Sequence, residues 1–152
     1  MRPFDLALRL RFLAIAAFAA FSLASSAADI AFTTSHVRVA SHPLKVELAV
    51  TEEQRERGLM FRKQMGRDEG MVFVFDEPAY QSMWMKNTLI PLSVAFLDAD
   101  GRILNILDMQ PETLDTHTSA GPARYAIETN IGWFERNKVK AGDKVTGLPP
   151  LK

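Results

Sequence analysis

The chain has no cysteine among its 152 residues. That excludes disulfides, thiol nucleophiles and thiolate metal sites. It has no excess of either charge, since 18 basic and 18 acidic residues balance. A nucleic-acid partner is not expected, because it would call for a clearly basic domain. There is no long apolar run: Leu13 to Leu23 falls short of the ~20 residues that a membrane-crossing helix needs. No Gly-x-Ser-x-Gly elbow, phosphate loop, dinucleotide fingerprint or zinc-protease helix is present. A hydrolase reading has no motif behind it, and no cofactor is expected. Internal repeats and low-complexity segments are also missing.

What the N-terminus does contain is a targeting pattern. Arg2, Arg9 and Arg11 form a positive start, an apolar stretch follows, and small residues run from Ala24 to Ala28. That order predicts a signal peptide over residues 1–28, cleaved after Ala27 or Ala28, and a periplasmic or secreted product with no stable membrane span after cleavage. An uncleaved anchor is the alternative. No cysteine stands near the junction to take a lipid. The mature domain would cover residues 29–152, with its core at about 36–146. Without Arg2, Arg9, Arg11 and Asp5, 15 basic and 17 acidic residues remain, a net charge of −2. A single domain of this length can bury one core without staples.

The rest reads mainly as β, a compact sandwich or distorted barrel with one short helix near residues 52–57. His36–Ala40 and Lys45–Val50 are β-branched or alternating, around Ser41-His42-Pro43. Thr51-Glu52-Glu53-Gln54 fits a capping box, with Arg55 and Arg57 near the helix end and Gly58 as a stop. Met71 to Phe75 is a continuous apolar strand of the kind covered on both faces. Ser82–Lys86, Ser93–Leu97, Arg102–Leu107 and Arg124–Thr129 are further strands. Asp100-Gly101 suggests a two-residue hairpin turn of the primed type. Asp108–Pro122 is a long connection, and such connections often carry function. Ile131 to Lys138 contains a short helical start, and Lys140 to Val145 turns into a last short strand.

One corner stands out. Met83-Trp84-Met85 runs into Lys86-Asn87-Thr88 and re-enters apolar sequence through Leu89-Ile90-Pro91-Leu92. Together with Glu56-Arg57-Gly58-Leu59-Met60, Gly70-Met71-Val72-Phe73-Val74-Phe75, Pro122-Ala123-Arg124-Tyr125 and Gly142-Asp143, it resembles the domain of unknown function 192 family, from about Val46 to Val145. The resemblance implies a compact, mostly β domain, often exported, with no established activity. It also implies an Asp after the Pro-Leu pair, where this chain has Ser93.

The candidate ligand-binding residues are Lys86, Asn87, Thr88, Arg124 and Glu128. Arg124, Ala126 and Glu128 share one strand face. An arginine fork suits a carboxylate or phosphate. The expectation is that Lys86, Asn87 and Arg124 converge on one concavity and that Glu128 orients Arg124. The bland alternative is an internal ion network. Met83 and Met85, two residues apart, suggest a thioether Cu(I) site, against the ordinary use of Met as a core filler. Met60, Met65, Met71 and Met109 enlarge that pool. His36, His42 and His117 are scattered; Asp115-Thr116-His117 could contribute to a metal or acid–base site, but a solvated loop is the much stronger reading. Trp133 and Phe134 read as core.

Three functions follow. The first is a non-catalytic module binding a small polar ligand, glycan or peptide of the cell envelope. The second is an enzyme using Lys86, Arg124 and Glu128. The third is a Met-based Cu(I) carrier.

Overall fold

The structure, a computed structural model, describes residues 30–151, so the signal-peptide segment and its cleavage point lie outside the described residues. Nine strands and two short helices follow in order: β1 (Thr33–Val39), β2 (His42–Ala49), α1 (Glu52–Arg57), β3 (Glu69–Ala79), β4 (Ser82–Met83), β5 (Leu92–Leu97), β6 (Ile103–Met109), β7 (His117–Thr118), β8 (Ala123–Asn130), α2 (Trp133–Arg136) and β9 (Val145–Thr146). Seven of the strands form one sheet in the order β6-β5-β8-β3-β2-β1-β9, and β4 pairs with β7 in a separate ribbon.

The sheet curls until its edges meet at one end. Arg102, just before β6, bridges to Lys144, just before β9. The Val145 N–H donates to the Gly101 carbonyl at 2.8 Å, and the Ile103 N–H donates to the Asp143 carbonyl at 2.9 Å. The fold is therefore mainly β, a distorted barrel closed at this end. All strand pairs are antiparallel except β2 with β3. A parallel pair cannot be joined by a tight turn and needs a crossover. Residues 50–68, with α1 inside them, are that crossover.

Apolar side chains fill both faces. On one, Val37, Val46, Val72, Leu97, Ile127 and Val145 come from strands across the whole sheet and meet in one cluster. That makes this the concave interior. Trp133 and Phe134 of α2 plug it, with rings edge-to-face at 5.4 Å. A fully buried aromatic of this size stabilises by roughly 3 kcal/mol. The convex face carries Met71, Phe73, Val94, Phe96, Met109 and Ala126, covered by Leu59 and Met85. Strand β8 lies inside the sheet, between β5 and β3, and is buried from Ala123 to Thr129. Any polar residue on it is therefore forced inside.

The structure corrects several element bounds. The β5–β6 hairpin forms, but not around a primed Asp100-Gly101 turn. The Gly101 N–H closes on the Asp98 carbonyl at 3.1 Å, so Ala99 and Asp100 are the central residues. Only Gly101, at φ 78°, has positive φ there. The Asp98 carboxylate accepts from the N–H groups of Asp100 and Arg102, both at 2.9 Å. That side-chain cap favours an ordinary turn followed by a bulge over the primed form. Strand β4 stops at Met83, because the Met85 N–H turns to Thr113 and the Thr88 N–H closes a turn on Met85, with Asn87 at φ 54°. Pro43 lies within β2, opposite Arg38. It is tolerated because β3 pairs with β2 only from Lys45 onward. The long 108–122 connection contains β7. The capping box forms as read, with Thr51 Oγ1 accepting from the Gln54 N–H at 3.1 Å and Gln54 Oε1 accepting from the Thr51 N–H at 3.1 Å.

Candidate functional site

A cleft of about 580 Å³ opens on the convex face, between α1, the far end of β3 and the β4 segment. Helix α1 is a short wall, and it is tied down. Arg55 donates to the carbonyls of Val50 at 2.7 Å and Val74 at 2.9 Å, and to Asp76 Oδ2 at 2.9 Å. Gly58 ends the helix at φ 45°, and a Cβ there would stand 3.3 Å from the Phe73 ring. Phe73, Phe75, Leu59, Met60 and Met83 make the apolar walls. Trp84, 47% exposed, stands at the rim.

Glu128 of β8 lines the cleft from the sheet, only 4% exposed. Its cross-strand neighbours are Met71 and Val94, both fully buried. Among the described residues, its carboxyl has no hydrogen bond and no ion-pair partner. Burial alone pushes its pKa up to about 8. At neutral pH the side chain is a carboxylic acid, able to donate and to accept one hydrogen bond at the cleft wall.

The other sequence-derived site residues separate. Thr88 is buried beside Glu128 in the same cleft, its hydroxyl donating to the Lys86 carbonyl at 3.2 Å. Lys86 and Asn87 line an adjoining depression of about 480 Å³ that shares Glu56, Arg57, Met60 and Trp84 with the cleft. The Lys86 ammonium sits 5.3 Å from the centre of the Trp84 ring. Arg124 lines neither space. It is 7% exposed, its Nε lacks a partner, and its Nη1 stands 3.9 Å from Glu77 Oε2 at the rim. The expected Arg124–Glu128 pairing is thus replaced by Arg124–Glu77. Roughly 13 Å of strand separates positions 124 and 128. Ala126 lies between them, flanked by Phe73 and Phe96.

The methionine pair also separates. Met83 lines the cleft, while Met85 is fully buried in the convex core. His117 stands opposite Met83 across the β4–β7 ribbon, with a buried Nδ1 that has no partner. His42 packs edge-on to Trp133 at 6.3 Å, far from this ribbon in the fold. Among the described residues, no group of three or more His, Asp or Glu could hold a metal.

Sequence reasoning missed the wall made by α1 and Phe73. Strand length hid it, because β3 and the crossover helix become neighbours only once β2 and β3 pair in parallel. Ser93 has a local explanation. Its hydroxyl donates to the Asp108 carboxylate on the neighbouring strand and accepts from the Gly132 N–H at 2.8 Å. A carboxylate is therefore present, one strand over.

No curated protein matches the chain. Solved structures do, two of them as follows. A Sinorhizobium meliloti protein, described provisionally as a transcription regulator, is 41% identical with a TM-score of 0.74, over 77% of this chain and 95% of that one. A Novosphingobium aromaticivorans protein of unknown function is 34% identical with a TM-score of 0.69, over 79% of this chain and 88% of that one. The profile of the domain of unknown function 192 family, described as an uncharacterized ACR, matches residues 33–147. The chain therefore belongs to the domain of unknown function 192 family.

Proposed function

We propose that this domain is a binding module of the cell envelope whose cleft takes a small polar ligand, a glycan fragment or a peptide end. The observation that carries the reading is Glu128, a buried carboxyl without a protein partner on the wall of an open cleft. Folding gains nothing from this carboxyl when it ionises, because burial disfavours the charge and no cation among the described residues compensates it. A ligand that hydrogen-bonds it would account for its presence. The cleft volume of about 580 Å³ falls in the range of small-molecule sites. Trp84 offers an exposed ring for stacking, and Thr88, Lys86 and Asn87 supply polar groups around it. Arg124 lies outside the cleft lining, with Glu77 its nearest acid at 3.9 Å. The N-terminal targeting pattern supports an exported location. The balanced net charge of this chain lends no support to a nucleic-acid partner.

The test is a thermal-shift screen of sugars, short peptides and small metabolites, run on the mature domain and on Glu128→Gln. A ligand that raises the melting temperature of the parent, and raises it less in the variant, is expected. Equal shifts in both would remove Glu128 from the site.

A second reading draws on the same residue. A carboxyl with a pKa near neutrality in a cleft is what a general acid–base catalyst needs. It predicts turnover of a bound ligand with a pH profile that breaks near 8 and is abolished by Glu128→Gln.

A further inference from the structure

The charges around the cleft point to the class of ligand. Four carboxylates line it besides Glu128: Glu52 and Glu56 on α1, and Asp76 and Glu77 on β3. Two of these acids already face a cation, Asp76 with Arg55 and Glu77 with Arg124, which leaves Glu52, Glu56 and Glu128 against Arg57 in the lining. Arg55 is held by Asp76 and by two carbonyls. Arg57 lies over the Phe61 ring, 5.0 Å from its centre. Arg124 faces Glu77, and Lys86 lies over Trp84 in the adjoining depression. Glu52 and Glu56 have no ion-pair partner among the described residues. On β3 and β5, the residues opposite Glu128 are Met71 and Val94, which bring no charge.

An anionic ligand would therefore meet Glu128 at the wall and Glu52 and Glu56 on α1, with Arg57 the one uncountered cation among the described lining residues. A cation would meet the reverse. Phe73 and Phe75 present aromatic rings, and Met60 and Met83 present polarizable thioethers. Both groups favour the organic body of an ammonium ion over a strongly hydrated metal.

We propose that the cleft binds a primary ammonium group carried on an apolar stem, and that Glu128 is the counter-ion. The inference rests on the binding reading above and narrows it to one chemistry. The same group occurs on free alkyl- or arylamines and on the lysine side chain of a peptide. When the ammonium enters, the Glu128 carboxylic acid gives up its proton to solvent, and the carboxylate and ammonium pair. No covalent bond changes.

The experiment is calorimetric titration of the mature protein with 2-phenylethylamine, 2-phenylethanol and 3-phenylpropanoate, three probes alike in shape and different in charge. Acetyl-Ala-Lys-Ala-amide is the peptide arm. Titration of the amine is repeated at pH 7 in buffers of different ionisation enthalpy. The amine or the lysine peptide is expected to bind at least about tenfold tighter than the alcohol, and the acid not at all. About one proton should be released per site at pH 7, and affinity should rise about tenfold per pH unit until pH 8. Whichever of the two binds more tightly identifies the source of the ammonium. In Glu128→Gln, proton release and the pH slope should vanish. Equal binding of alcohol and amine, or a preference for the acid, would overturn the cation inference and leave the binding reading standing. Amine binding without proton release would remove Glu128 as counter-ion and overturn it also. If none of the probes binds, the cation inference fails, and a negative sugar and peptide screen would then take the binding reading with it.

Discussion

At the scale of single residues, two charges on one strand face, with Ala126 between them, have opposite fates. That Arg124 and Glu128 share one face was legible, because alternation on a strand fixes the face. Their pairing was not legible. Whether two such residues meet depends on what lies between them, here the Phe73 and Phe96 rings beside Ala126. The partner Arg124 does have, Glu77, is 88% exposed at its side chain. Truncating Arg124 therefore strands no buried acid, and the cost should come from lost packing. Arg124→Met, which keeps most of the stem, is expected to cost less than about 1 kcal/mol, and Arg124→Ala about 2–3 kcal/mol, in denaturant unfolding. A large loss in the Met variant would assign the guanidinium a structural role. Glu128 can be checked directly by following its carboxyl carbon by NMR. The expected midpoint is about 8. A midpoint near the ordinary value of 4.5 would mean that the carboxyl is solvated or paired.

At the scale of elements, local signals were readable and distant pairings were not. The Thr51–Gln54 box, the Asp98–Arg102 hairpin and the α2 segment each depend on residues within a few positions of one another. The β2–β3 parallel pair joins segments some twenty residues apart, and nothing in either strand announces its partner. The cleft depends on that pair, so its α1 wall went unseen. The hairpin also taught that Asp-Gly is not always a primed turn: the Asp98 side chain selects the form with Gly101 as the bulge. Gly101 sits at the closing seam, where a Cβ would come 2.8 Å from the Val145 carbonyl. Gly101→Val is expected to destabilise by at least about 2 kcal/mol, from positive φ and that contact together. A neutral melting curve would contradict the seam geometry. For α1, Thr51→Ala should cost about 1 kcal/mol through the lost cap, and weaken ligand binding with it by loosening the cleft wall. Unchanged stability would mean that the Arg55 contacts hold the helix without the cap.

At the scale of the whole molecule, the barrel is secured by two apolar cores and the hydrogen-bonded seam, with no covalent staple. Glu128 works against that stability. Its pKa in the folded protein, about 8, lies above the ordinary 4.5, so between those pH values the folded state holds a proton that the unfolded chain has lost. Stability should be unaffected by this group below about pH 4.5, fall through the window by up to ~1.4 kcal/mol per pH unit, and level off above pH 8. Export is a separate whole-chain expectation: N-terminal sequencing of the secreted or periplasmic protein should find Ala28 or Asp29 first, and a retained Met1 on membranes would mean an anchor. The central claim is that Glu128 belongs to a site and not to the scaffold. The measurement that tests it most directly is the unfolding free energy of the mature domain and of Glu128→Gln at pH 5 and pH 8.5. Glu128→Gln is expected to be close to the parent at pH 5 and clearly more stable at pH 8.5. A variant less stable than the parent at both pH values would contradict the account and make Glu128 part of the structural core.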